Sequence, residues 1–280
     1  MPGLDVTPLL ITYNEAPNIG RTLARLAWAR RIVIIDSGST DETLEIAARH
    51  PQVEVVHRAF DSFAEQCNFG LSLIRTDWVL SLDADYELSE RLVEEIAGLT
   101  PAAGVAGYRA AFVYRIEGRP LRATLYPPRV VLYQAKAGAY VNEGHGHRLS
   151  IAGRIETLRN KIYHDDRKPL FRWFESQRRY AVAEARHLLD APTGSLSVAD
   201  RARCTGWAAP LLVLPYVLLV KGCLLDGGIG WLYALQRLLA EVMIALELLD
   251  RRLSAASGKE DEASAPVNAK AGRPYADLRH

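Results

Sequence analysis

Asp83 and Asp85, one residue apart, close an apolar run and are the residues whose type and spacing most directly suggest chemistry. At the end of a buried strand, alternation would turn both carboxylates to one side, where they can hold Mg²⁺ or Mn²⁺ against phosphate oxygens. A cation so held neutralises the charge that grows on a departing diphosphate. The plainer alternative is a pair of acids capping a helix that begins near Ser89. Two more polar clusters are of the same kind: Thr12-Tyr13-Asn14-Glu15 and Asp36-Ser37-Gly38-Ser39-Thr40-Asp41. Asn14, Glu15 or Asp41 can each serve merely as a helix cap. Asp36, an acid at a strand end before a glycine turn, is better placed to accept hydrogen bonds from a nucleobase or ribose.

These clusters need a frame to position them. Apolar runs predict strands at 8–12, 31–35, 53–57 and 78–82, alternating with helices at 18–28, 41–48, 63–74 and 89–97, the last with Ser89 as N-cap. That alternation implies a Rossmann-like, mostly parallel α/β sheet with helices on both faces. Ligands bind such sheets at the carboxyl ends of the strands, where all three clusters fall. Residues 107–163 turn β-rich, with Gly and Pro punctuation, and predict an antiparallel extension whose loops recognise an acceptor.

The remainder is helical in character. An aromatic and basic helix is expected over 168–189; its Arg172, Arg178, Arg179 and Arg186 form either a solvated face or a surface for anionic lipid or a phosphorylated acceptor. Residues 204–220 are uncharged and apolar, contain Pro210 and Pro215, and fall short of the roughly 20 residues that cross a bilayer. A further helix over 231–249 has apolar residues at 231, 235, 238, 242, 246 and 249. The two segments are expected to lie shallowly on a membrane or to pack against the rest of the chain or a dimer partner. The tail from Ser254 has a disordered composition. The expected organisation is thus 1–105 for a nucleotide, 106–167 for an acceptor, 168–253 helical, and 254–280 a tail.

Composition narrows the classes. The 280 residues are 49% apolar, ample for a core, and 34 basic residues nearly balance 33 acidic ones, so no global field attracts nucleic acid. Cys67, Cys204 and Cys223 are an odd, widely spaced set without a CxxC pair, which predicts a reduced cytosolic compartment rather than a disulfide frame or zinc site. The N-terminus lacks the basic-then-apolar pattern of a secretory signal. No GxGxxG follows the first strand, which disfavours a dehydrogenase, and no GxGTR-type loop suggests sugar-nucleotide synthesis.

Taken in order, LLITYNEAPNIGRTLARL, IVIIDSGSTDETLEIA, FAEQCNFGL and DWVLSLDAD resemble glycosyltransferase family 2, of the GT-A fold. The resemblance implies an inverting enzyme using a UDP-sugar and a divalent metal. It implies that Thr12, Tyr13, Asn14, Glu15, Asp36 and Ser39 hold the nucleotide, with Gln66 and Asn68 lining the same pocket. Asp83 and Ala84 would lie by the ribose, Asp83 and Asp85 by the metal. VNEGHGHRL, IYHDD and KGCLLDGGIGWLYAL are similar to the branch of lipopolysaccharide-core β-glucosyltransferases. Three positions depart from relatives: Asn142 stands where that branch often has His, Cys67 where it has a basic residue, and Tyr86 where relatives often have an acid.

Inverting transfer requires a carboxylate to take the proton of the attacking hydroxyl. Glu143, in a polar loop flanked by glycine and matching the branch's Glu, is the expected base, with Asp165 and Asp166 next; a surface pairing with Arg148 is the alternative. His164 is expected as a further metal ligand, a diphosphate contact or a hydrogen-bonded structural residue, and His145 and His147 as loop residues shaping the site. The expected reaction moves a hexose, glucose by resemblance, to a glycolipid such as lipopolysaccharide core, by a cytoplasmic protein peripheral to the inner membrane. Transfer to a polyprenyl phosphate, or a binding protein that kept the fold without activity, are the competing readings.

Overall fold

The computed structural model describes residues 4–143 and 146–257. The first half alternates as expected: β1 (Val6–Thr12), α1 (Ile19–Arg25), β2 (Ile32–Asp36), α2 (Thr43–Ala48), β3 (Val53–His57), α3 (Phe63–Ser72), β4 (Trp78–Asp83), β5 (Tyr86–Leu88) and α4 (Glu90–Ala97). β1 pairs in parallel with both β2 and β4, and β2 with β3. Successive strand residues point to opposite faces. Leu10, Ile32, Ile34 and Leu80 pack on Ile19 and Leu23 of α1, Ala47 of α2, and Leu92 and Ile96 of α4. Leu9, Val33, Ile35 and Val79 meet Ala64 and Cys67 of α3 on the other side. The sheet is therefore covered on both faces. Gly70 lets α3 approach closely, since a Cβ there would stand 2.6 Å from Leu9 Cδ1. Ser89 caps α4 as expected, its side chain accepting from the Leu92 N–H. The strand β5 escapes sequence reading because three residues cannot display a period.

The second half supplies β6 (Val105–Ala110), β7 (Phe112–Ile116), β8 (Arg119–Pro120), β9 (Arg129–Gln134), β10 (Gly138–Glu143), β11 (Gly146–Ile151), β12 (Arg154–Thr157) and β13 (Ile162–His164). One sheet runs β12-β6-β9-β4-β1-β2-β3, so strands of both halves share it. Within it β9 is antiparallel to β4 and β6. The β-rich run at 107–116 breaks at Ala111, where the chain leaves this sheet for a small one ordered β5-β13-β7-β8. That small sheet sets His164 opposite Tyr86, just beyond Asp85.

Four helices finish the fold: α5 (Leu170–Asp190), α6 (Val198–Cys204), α7 (Ala208–Pro215) and α8 (Gly228–Ala256). Between α7 and α8 lie a wide helical turn at Tyr216–Val220 and a tight one at Cys223–Asp226. Among the described residues no helix is long and apolar enough to cross a membrane. Val217, Leu218, Cys223, Tyr233 and Ala234 pack on Leu121, Tyr114 and Ile116, joining the helices to the small sheet. The expected apolar stripe of α8 is not its packed face. Trp231, Leu235, Leu246 and Leu249 are exposed, while Tyr233, Ala234, Ala240, Ala245 and Leu248 are buried. Small residues win that face because they admit close helix contacts. The helix also continues through Ser254 to Ala256, into the segment expected to be tail; 258–280 lie outside the described residues.

Arg203 ties these helices together. Its guanidinium reaches both carboxylate oxygens of Glu241 on α8 at 2.8 and 2.9 Å, and Glu184 on α5 at 3.5 Å. Arg203→Ala removes the cation that bridges these half-buried acids, and is expected to cost about 2–4 kcal/mol. Urea denaturation followed by circular dichroism checks this; an unchanged midpoint would make the network ornamental.

Candidate active site

The registers Thr12↔Asp36 and Ile11↔Asp83 bring the carboxyl ends of β1, β2 and β4 abreast. At this edge the strand stops at Asp83 and turns through Ala84 and Asp85 into β5. Thr22 Oγ1 donates to the Ala84 carbonyl at 2.6 Å and holds that turn to α1. Strand alternation therefore does not extend to Asp85: Asp83 is exposed at the strand end, and Asp85 turns inward.

Inside, Asp85 Oδ2 lies 3.2 Å from His164 Nε2. The imidazole is enclosed by Tyr114 and Tyr126, each 4.8 Å away between centroids, and Tyr86 at 5.2 Å. Burial opposes charge on both partners, yet each sustains the other: Asp85 is held below the usual carboxylate range and His164 above the usual imidazole value. Asp85 Oδ1 and His164 Nδ1 are buried without a hydrogen-bond partner. Leaving a buried polar atom unpaired costs on the order of 1–3 kcal/mol, so an orphaned carboxylate oxygen beside an imidazole suits a divalent cation. The expected trio of Asp83, Asp85 and His164 is not assembled, however. Among the described residues no three His, Cys, Asp or Glu side chains converge. Asp85 and His164 are the pair that meet.

Lys168 completes the inner wall and was not singled out from sequence. Its Nζ lies 2.7 Å from Glu15 Oε1 and 4.0 Å from Asp166. Burial opposes its charge, but Glu15, Asp166 and Asp85 hold it well above the ordinary lysine value. Burial in turn pushes the Glu15 carboxyl up to about 7 against the pull of Lys168, with Asp85 adding to the rise. Lys168 follows Arg167 just ahead of a basic helix, and nothing in its spacing points to Glu15.

Around the outer rim the polar clusters hold one another. Asn14 and Glu15 do not cap α1. Asn14, at φ 55°, accepts from the Thr40 N–H at 2.8 Å, and its own N–H donates to Ser39 Oγ at 2.9 Å. The Glu15 N–H donates to Thr43 Oγ1 at 2.7 Å, while Asp41 Oδ1 accepts from the Thr43 N–H at 3.0 Å at the start of α2. Asp36 is 1% exposed. Both its oxygens are engaged, by Thr12 Oγ1 at 3.0 Å, Ser39 Oγ, and the N–H groups of Gly38 and Ser39 at 2.9 Å. It organises the turn and presents no open acceptor to a base. Asp36→Ala is expected to lower stability by about 1–3 kcal/mol through those unpaired donors. A thermal melt that did not move would show that the turn holds without Asp36. Tyr13, by contrast, projects into solvent from the end of β1.

Gln66 and Asn68 likewise face inward rather than into an open pocket. Gln66 Nε2 donates to the Arg58 and Ala59 carbonyls, both at 3.0 Å, and to Ser37 Oγ at 3.3 Å. Asn68 grips the Tyr140 backbone twice at 2.9 Å, donating from Nδ2 and accepting at Oδ1, and so anchors β10. Burial pushes the Cys67 thiol up to about 12, leaving it neutral in the core.

Asp165 and Asp166, the alternative bases, act as fasteners. Asp165 is buried against Arg167 at 2.9 Å, and Asp166 accepts from Asn18 Nδ2 at 2.8 Å. The backbone of Glu143 ends β10 opposite Gly146, a strand end where a loop was expected, and Arg148 stands opposite Val141. The side chains of Glu143 and His147, and all of His145, lie outside the described residues. On α5, Arg178 and Arg179 are exposed beside Phe174, while Arg172 and Arg186 are half-buried.

The Glycosyl transferase family 2 profile matches residues 9–145, from within β1 to just past the end of β10. Residues 9–145 belong to glycosyltransferase family 2. Within curated proteins, an uncharacterized glycosyltransferase of Rickettsia bellii is 28% identical over 166 residues, covering 56% of this chain and 56% of that protein. The chain thus spans little more than half the length of this family relative. The lipopolysaccharide core biosynthesis glycosyltransferase LpsC of Rhizobium meliloti is 28% identical over 116 residues, 40% of this chain and 43% of that one. Among solved structures, the mannosyltransferase PcManGT from Pyrobaculum calidifontis, in complex with GDP-Man and Mn²⁺, aligns with a TM-score of 0.51 and 17% identity. That alignment covers 93% of this chain and 90% of the other, and it establishes a common GT-A fold.

Proposed function

We propose that the chain is an inverting, divalent-metal-dependent glycosyltransferase that moves a hexose, glucose in the first instance, from a UDP-sugar to a hydroxyl of a glycolipid such as lipopolysaccharide core. It works as a peripheral protein at the cytoplasmic face of the inner membrane. The observation that carries this reading is Asp85, half-buried beside His164 at the carboxyl edge of a family 2 sheet, with one carboxylate oxygen buried and unpartnered.

Asp85 and His164 are the residues that would hold Mg²⁺ or Mn²⁺, with Asp83 at the rim toward the ribose. When bound, the cation supplies Lewis-acid neutralisation of the leaving diphosphate. Tyr13 offers an exposed aromatic face to the base. Thr12, Asn14, Asp36 and Ser39 keep the two rim loops in register. Lys168 adds a fixed positive charge on the inner wall. Glu143 takes the acceptor proton as the hydroxyl oxygen bonds to the anomeric carbon and the bond to the diphosphate breaks, UDP leaving with the electron pair.

The reading is tested by incubating the purified chain with UDP-glucose, UDP-galactose or UDP-N-acetylglucosamine and Mn²⁺, with and without EDTA. UDP release that requires the cation and favours UDP-glucose supports it; release indifferent to EDTA removes the metal. Mass spectrometry of lipopolysaccharide from cells with and without the protein identifies the acceptor.

A further inference from the structure

The outer surface of α7, the two turns after it and the start of α8 is apolar to an unusual degree. Leu211 is 67% exposed, Leu219 67%, Val220 73% and Leu225 71%, and Trp207, Leu212, Tyr216, Trp231 and Leu235 are exposed with them. Contiguous patches of this kind on a folded chain mark a partner surface. The buried residues of the same elements already serve packing: Val217, Leu218, Cys223 and Tyr233 face the small sheet. These helices are therefore apolar on both sides. One side is accounted for.

Charge decides the occupant. Over residues 205–236 the charged side chains are Lys221 and Asp226. Asp226 accepts the Arg122 N–H at 3.0 Å and pairs with its guanidinium at 3.2 Å, so the acid is neutralised where it stands. Lys221 has no carboxylate partner among the described residues; its Nζ lies 5.5 Å over the Tyr216 ring, at the edge of the patch. Aliphatic side chains, flanked by indole and phenol rings and bordered by an unneutralised cation, match the acyl-to-headgroup boundary of an anionic bilayer. Neither the Trp207 nor the Trp231 indole N–H finds an acceptor among the described residues, as suits rings at a headgroup level. The proline-broken, short elements cannot span and are shaped to lie flat.

We infer that this face, centred on Leu211, Leu219, Val220 and Leu225, inserts into the outer part of an anionic phospholipid leaflet. The inference deepens the membrane-surface part of the proposed function and rests on that part alone, not on the donor chemistry.

The test is flotation of the full chain with phosphatidylcholine vesicles, with and without phosphatidylglycerol. Binding is expected to rise with the anionic lipid and to fall roughly tenfold for each of Leu219→Glu and Leu225→Glu, and to weaken for Lys221→Glu. Leu44→Glu on α2 serves as an exposed-leucine control and is expected to bind like wild type. UDP release from a UDP-sugar in detergent-free buffer is expected to stay unchanged in all four, which separates failure here from failure of the enzymatic reading. Should a variant lose its thermal transition, quenching of wild-type tryptophan fluorescence by brominated acyl chains replaces it. Equal binding by wild type, Leu219→Glu and Leu225→Glu, or no quenching, overturns the inference. So does a lipid-independent dimer, seen by sedimentation velocity, that Leu225→Glu dissociates, since the face would then belong to a second copy.

Discussion

Asp85→Asn is expected to lower cation-dependent UDP release by roughly a hundredfold or more, the scale on which positioned electrostatic groups act in a dry site. The substitution keeps shape and removes charge. It takes away the carboxylate that His164 meets at 3.2 Å and the oxygen that has no other partner. Calorimetry separates the two consequences. UDP with Mn²⁺ should bind the variant little better than UDP alone, whereas the wild type should show a clear gain from the cation. Asp83→Asn makes the informative comparison, because Asp83 is exposed while Asp85 and His164 are half-buried, and no third acid or imidazole joins that pair among the described residues. Its loss is expected to be the smaller of the two. An Asp85→Asn protein that keeps full, EDTA-sensitive turnover would move the cation elsewhere and dissolve the proposed site.

Glu143→Gln should leave donor binding as it is and reduce transfer to an acceptor by roughly 10²–10⁴-fold, the usual contribution of a general base. Glutamine preserves length and hydrogen bonding but cannot take the hydroxyl proton. The relevant measurement is kcat for transfer beside the dissociation constant for UDP with Mn²⁺; only the first should change. The β10 strand that ends at Glu143 is pinned by Asn68 through both hydrogen bonds to Tyr140. An Asn68→Ala protein is therefore expected to lose transfer partially, through a displaced strand rather than a missing base. Equal transfer by wild type and Glu143→Gln excludes Glu143, and Asp165 and Asp166 do not inherit the role easily, since Asp165 is buried against Arg167 and Asp166 is held by Asn18.

The alternation of strands and helices through residue 97 was legible in the chain because it is written in local periodicity. β2 reads IVIID and is buried at every position, and Ser89 caps α4 where its side chain and spacing said it would. The placement of three polar clusters at one sheet edge followed from the same pattern. What each polar residue does there was not legible. Asp36 and Asn14 resemble ligands in sequence, yet their acceptors are filled by the neighbouring turn. Asn68 resembles a pocket residue and instead grips a strand far away in the chain.

The inner site depends on contacts between distant segments. His164 reaches Asp85 only because β13 pairs with β5, a strand too short to read, and Lys168 reaches Glu15 only because the chain returns past α1 after β13. The C-terminal helices make the same point through packing. Composition declared them apolar, but which face is buried was settled by the small residues of α8 against its neighbours, leaving Trp231 and Leu235 outward. Periodicity is a local property and survives in one dimension; the pairing of charges and the choice between two apolar faces depend on what arrives opposite them, and only the folded chain specifies that.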